Sequence, residues 1–195
     1  MKINAQELLQ QAKADALKDL EMVQKSFAHL SEDELYQAPA PGQWSIGECL
    51  EHLNITFRSY LPKIEKGIQQ GIAKGYQATE IFKTGFIGQK FTNSFRLDEN
   101  NQPIRKVKTL KSFEPRDLIQ RNLKVREEFA NYMTKFMAQT DQAAQVNLNR
   151  IKVTSAIGPL IRFRLGDVFL FINLHNYRHL VQAQRVSQLN EKRKM

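Results

Sequence analysis

The chain is poor in several residue types, and each shortage excludes something. It has one cysteine, Cys49, in 195 residues, so no intramolecular disulfide can form and nothing points to an oxidising compartment. Six prolines and nine glycines exclude a collagen-like chain, and a 42% apolar content excludes a disordered one. Residues 1–13 are polar and amphipathic with no apolar core of a leader, so a cytoplasmic chain is expected. The longest apolar stretch, Val168 to Leu174, is broken by Asn173 and falls far short of the roughly 20 residues a membrane span needs. There is no internal repeat, and the length suits a single domain over 1–195.

Acidic side chains are outnumbered by basic ones, 20 to 29, which leaves a net charge of +9. Such an excess attracts nucleic acid, an anionic membrane surface or an acidic small molecule. The cations are scattered, however, with short concentrations at 105–111, 150–164 and 192–194. No run is long, which favours a solvated basic surface over a nucleic-acid footprint.

Helical periodicity dominates what is present. Asn4 caps a first helix whose apolar face carries Leu8, Leu9, Ala12, Ala16, Leu20, Val23 and Phe27 and which ends near Leu30. A Pro- and Gly-containing linker, 38–43, leads to a second start in which Ser45 and Glu48 make a capping box and Trp44 staples onto Cys49. Ile46, Leu50, Leu53, Phe57, Tyr60 and Leu61 continue that helix, and Pro62 predicts a kink or the approach of its end. Residues 67–111 read as a long crossover, with a short helix somewhere in 79–95 that packs on the other helices. A third helix is expected from Pro115, with Leu118, Ile119, Leu123, Phe129, Tyr132, Met133, Phe136 and Met137 as its stripe, fading near Gln139. A β-like patch at 150–154 precedes a last helix capped by Asp167. The fold class is all-α, and long helices with two long connections argue for a bundle with crossovers over an up-down-up-down one.

Histidine is scarce as well, and its placement carries the chemistry. His175 and His179 stand four apart in the last helix, so two imidazoles can converge on one ion from one face. The pair alone leaves two ordinary helix histidines open. His52 lies about two turns into the capped second helix, and if the two helices start at the same end all three rings fall at one depth. His29, beside the end of the first helix, reads as structural, as do Cys49, Trp44 and the Met133, Phe136, Met137 stripe.

The stretch Gln43-Trp44-Ser45-Ile46-Gly47-Glu48-Cys49-Leu50-Glu51-His52-Leu53 resembles the Trp-Ser…His-Leu segment of DinB/YfiT-like proteins, and His175-Asn176-Tyr177-Arg178-His179-Leu180-Val181-Gln182 resembles their closing His-x-x-x-His-x-x-Gln motif. The resemblance implies a four-helix bundle in up-down-down-up order, usually a homodimer, with His52, His175 and His179 holding zinc, nickel or a similar divalent ion. Gln182 falls on the glutamine that follows the family's last histidine, where it can orient a ligand imidazole or make a plain interhelical bond. Family members include thiol-dependent S-transferases, and the crossover here is longer than the family usually carries.

Three neutral imidazoles leave coordination positions open, which suits a ligand-exchanging site for a low-molecular-weight thiol or a water. The basic surface suits a small, anionic substrate. Tyr177 and Arg178, between the two histidines, are expected at the surface or in packing. A metal-dependent transferase, a non-catalytic metal protein and a basic interaction module without metal all remain open.

Overall fold

The computed structural model describes residues 1–115, 122–158 and 160–194. A short strand, β1 (Lys2–Asn4), runs into helix α1 (Ala5–Phe27), and a one-turn helix α2 (Glu32–Leu35) leads to α3 (Ile46–Ala73). Strand β2 (Ile81–Lys83) and helix α4 (Phe86–Asn93) follow, then an irregular strap over 94–115 with a 3-10 turn at Lys111–Phe113, and later α5 (Val125–Ala143). Strands β3 (Lys152–Thr154) and β4 (Arg162–Arg164) then feed α6 (Leu165–Lys194). The chain is mostly helical, as the periodicity predicts. Its two sheets are antiparallel pairs, Ile3 opposite Phe82 and Val153 opposite Phe163.

The caps explain where the helices begin. Asn4 accepts bonds from the backbone of Gln6 and Glu7, and Ser45 and Glu48 close a reciprocal capping box. The far end of α1 is closed from outside, because Arg126 Nη1 donates to the carbonyls of Phe27, Ala28 and Leu30. The helix therefore stops at Phe27, slightly before the expected Leu30.

Side-chain bonds between the long helices set their directions. Lys13 of α1 meets Asp141 near the end of α5, while Arg126 at the start of α5 meets the end of α1, so these two are antiparallel. Asn54 bonds the Val125 carbonyl and Gln139 bonds that of Leu61, so α3 and α5 run together. His52 faces His175 and Tyr60 faces Phe171, so α6 opposes α3. Each of α1 and α3 packs on both α5 and α6. Between them lies a core rich in phenylalanine, including Phe27, Phe57, Phe129, Phe136 and Phe169, all fully buried.

Four local expectations are corrected. Helix α3 does not approach its end at Pro62 but continues to Ala73, because Ile64 and Ile68 beyond the proline are buried and their packing outweighs one missing donor. Gly67 and Gly71 thus belong to a helix and not to the crossover, and a Cβ on Gly71 would stand 2.6 Å from Ile151 Cδ1. Helix α5 starts at Val125 and extends to Ala143; Leu123 is 63% exposed, while Leu118 and Ile119 lie outside the described residues. Asn122 delays the start, since its side chain accepts from Lys124 N and donates to Glu51 and Glu128 while its backbone bonds Tyr36 Oη. Asp167 is no cap residue but sits inside the first turn of α6, where its carboxylate accepts from the backbone of Arg164 and of Gly85.

That last contact positions α4. The backbone of Gly88 lies so close to Asp167 that a Cβ there would be 2.2 Å from Cγ of the carboxylate. Gly88→Ala is expected to destabilise the protein by about 1–3 kcal/mol, because overpacking and the displaced Asp167 bonds exceed the roughly 1 kcal/mol that alanine adds to a helix interior. Urea unfolding of the variant measures it; an unchanged or raised midpoint would refute the reading.

Candidate metal centre

His52 comes from α3 and His175 and His179 from α6, and the three rings meet where the helices cross. Ring centroids are 4.9 Å apart for His52 and His175, 4.5 Å for His52 and His179, and 4.7 Å for His175 and His179. One nitrogen from each lies within 4.8 Å of the others, and this is the cluster able to hold a metal ion among the described residues. The equal-depth premise does not hold, since α3 and α6 are antiparallel and start at opposite ends. The rings meet because His52 lies early in α3 and His175 a third of the way along α6.

Hydrogen bonds assign the lone pairs. His52 Nδ1 is 2.7 Å from the Phe113 carbonyl oxygen. A carbonyl only accepts, so Nδ1 carries the hydrogen and Nε2 presents a lone pair. His179 Nδ1 is likewise 3.0 Å from Gln182 Oε1, which frees its Nε2. His52 Nε2 lies 3.0 Å from His175 Nε2, which must donate a hydrogen into that lone pair or share a cation with it. His175 Nδ1 is buried with no partner among the described residues.

This donor set fits a divalent ion. A tetrahedral ion about 2 Å from each nitrogen sets its ligands about 3.3 Å apart, close to the Nε2 separation of His52 and His175. Ligating imidazoles ordinarily donate their other N–H to a carbonyl or carboxylate, and two of these three do.

Burial keeps the rings uncharged. It lowers the His52 pKa from 6.5 to about 4, against the opposing effect of the Phe113 carbonyl. His175 is held well below its ordinary value by burial first and then by the fields of His179, His52 and Arg178. Burial does the same to His179, helped by His52 and opposed by the bond to Gln182.

A cavity of about 100 Å³ opens beside the rings. Its walls are Phe91 and Phe95 from α4 and just beyond it, Phe171 from α6, Thr56 and Tyr60 from α3, and Val107 to Leu110 with Phe113 from the strap. Arg178 also lines it, with Nη1 donating to the carbonyls of Ser94 and Arg105, so its assignment to packing or surface is incomplete. A helical wheel places Arg178 about 60° from His175, a signal present in the sequence. Phe113 offers no such signal, since it acts through its backbone from an irregular strap. Trp44 is only half-buried and stands 4.9 Å from the His52 ring and 5.6 Å from that of His179, with its indole donating to Glu114. It is therefore a wall of the cluster and not plain core. Cys49 is fully buried with its thiol pKa pushed up by burial and takes no part in the cluster, and His29 is exposed away from it.

The depressed pKa values have a sign that can be checked. Folded His52 takes a proton only near pH 4, whereas the unfolded chain takes it near 6.5, so the unfolded state binds more protons between these values. The contribution of this ring to the stability of the metal-free protein is expected to fall from pH 6.5 down towards 4, by roughly 3 kcal/mol, while Asp19, whose carboxyl pKa burial raises to about 8, acts in the opposite sense over the same range. Calorimetric melting of wild type and a His52→Gln variant from pH 7 to 4.5 tests this, since the stability of wild type relative to the variant should fall as the pH falls. A difference between the two that stays level over this range would contradict it.

Among known proteins, the family model of the DinB superfamily matches residues 16–183, a span that contains all three histidines and Gln182. No curated protein and no solved structure gives a significant match. The matched span takes in all but the two ends of the chain, which belongs to the DinB superfamily.

Proposed function

We propose that this chain is a four-helix bundle in up-down-down-up order that binds one divalent ion through His52, His175 and His179 and works as a metal-dependent transferase on a low-molecular-weight thiol or an activated water. The directions of α1, α3, α5 and α6 support the bundle. One observation carries the metal reading: carbonyl oxygens claim the Nδ1 hydrogens of His52 and His179, which turns two Nε2 lone pairs onto a common point beside His175. Gln182 belongs to the site in this reading as the group that orients His179.

Imidazole donors suit zinc or nickel, and three of them leave room for an exchangeable ligand. When bound, such an ion lowers the pKa of a thiol or water beside it and so supplies a nucleophile at neutral pH. The chain's own part is to hold three uncharged rings in register, to exclude bulk water with Trp44 and the phenylalanines, and to admit a small substrate through the cavity. The buried Cys49 supplies no nucleophile. No helix is long and apolar enough to cross a membrane, and a cytoplasmic homodimer is the assembly in which this reading places the site.

Titration of the purified protein with zinc or nickel is expected to load one ion per chain, to raise the melting temperature and to change the fluorescence of the single tryptophan, Trp44. His175→Ala should abolish loading, and Gln182→Ala should weaken it about 10- to 100-fold. Absence of any specific ion uptake would leave a basic interaction module. Turnover assays of the loaded protein with low-molecular-weight thiols and electrophiles then separate the transferase from a metal protein without catalysis.

A further inference from the structure

We infer that Arg178 and Lys108 form a carboxylate-binding subsite at the mouth of the cavity, so that the ligand of this site is a small carboxylate with a compact apolar body. The inference deepens the function proposed above, on which it rests for the place of reaction, but it stands on different residues.

The first support is an imbalance of charge. Among the described residues, the side chains that line the cavity include Arg178, Lys108 and the three histidines but no aspartate or glutamate. Arg178 is half-buried and forms no ion pair among the described residues, where the salt bridges join Lys13 to Asp141, Lys25 to Glu21, and Arg58 to Glu51 and Glu128. A cation partly withdrawn from water without a counter-ion is costly, and an anion entering the cavity restores what it lost.

The second support is geometry. Arg178 Nη1 is occupied by the carbonyls of Ser94 and Arg105, which fixes the guanidinium against α4 and the strap. Its Nε and Nη2 hydrogens have no partner among the described residues. That free edge offers two parallel donors, the arrangement a carboxylate accepts in bidentate fashion. Lys108 reaches the same cavity from the exposed strap and adds a second positive charge that needs no fixed orientation.

The interior decides what the carboxylate is attached to. Phe91, Phe95, Phe113 and Phe171 face the space; of its hydroxyls, Tyr60 Oη already accepts from Ala156 N and pairs with Ser155, and Thr56 Oγ1 donates to the His52 carbonyl, which leaves Thr109 on the strap. A polar body would lose water there and gain few bonds, whereas an apolar or aromatic one exchanges water for ring contacts. The volume of about 100 Å³ keeps that body small.

Benzoate and its uncharged isostere benzamide are suitable probes, titrated calorimetrically into the full chain with zinc loaded and with metal stripped by chelator. Benzoate is expected to bind both forms at least about tenfold more tightly than benzamide. Arg178→Gln should erase that preference, and Lys108→Gln, on an exposed segment that leaves the fold intact, should weaken benzoate about threefold. Melting of each variant is recorded, and should Arg178→Gln unfold, Lys108→Gln and the benzamide ratio carry the test. Benzoate binding that requires zinc and ignores both substitutions would place the carboxylate on the ion, overturning the subsite while favouring the triad as a metal centre. No benzoate binding to either form would also overturn it. Retained, Arg178-dependent benzoate binding in a protein that takes up no zinc would uphold the subsite and defeat the metal reading.

Discussion

The carbonyl of Phe113 can only accept a hydrogen bond, and much of the chemistry of this protein depends on that fact. It forces the hydrogen of His52 onto Nδ1 and turns the opposite nitrogen, as a lone pair, towards two rings from another helix. Because the ring is buried it stays uncharged at neutral pH, so the lone pair is available rather than protonated. Residue 113 belongs to an irregular strap, and the architecture around it exists to keep that strap in place.

Several independent contacts do this. Glu114 holds the Trp44 indole, so the strap is pinned on both sides of the His52 ring, and Arg178 ties the backbone of Arg105 to that of Ser94. On the other side of α3, the buried Glu51 joins Arg58 and Asn122, and Asn122 in turn joins Tyr36 and Glu128. That network locks the start of α5 against the turn of α3 that carries His52. A buried carboxylate is tolerable only because both its oxygens are partnered, one by Arg58 of its own helix and the other by Asn122, far along the chain. The network thus converts local charge pairing into the relative placement of helices.

What could be read from the sequence follows from the range of the interactions involved. Caps, apolar stripes and the four-residue spacing of His175 and His179 are local, and α1, the start of α3 and α6 were legible for that reason. The short helix expected within 79–95 is α4, and the β-like patch is β3. The passage of α3 through Pro62 was not legible, since it depends on Ile64 and Ile68 meeting residues distant in the chain. The start of α5 was misjudged because Asn122 bonds Tyr36, Glu51 and Glu128, three partners in three segments. The antiparallel course of α3 and α6 agrees with the up-down-down-up order that the resemblance implies, but the caps do not carry it, as cap positions say where a helix begins and not at which end of the molecule. The three histidines converge all the same, because His52 near the start of α3 stands opposite the part of α6 that carries His175 and His179.

The capping box at Ser45 and Glu48 has a reach well beyond its own turn. It determines the rotational phase of α3, and a slip of one residue there would swing every side chain by about 100°. His52 would then leave its two companions, and the apolar stripe of α3 would turn off the core with it. Two short bonds at a helix tip therefore act as the index mark from which the angular setting of a distant ring is read, and substitutions at that tip bear on ligation without touching it.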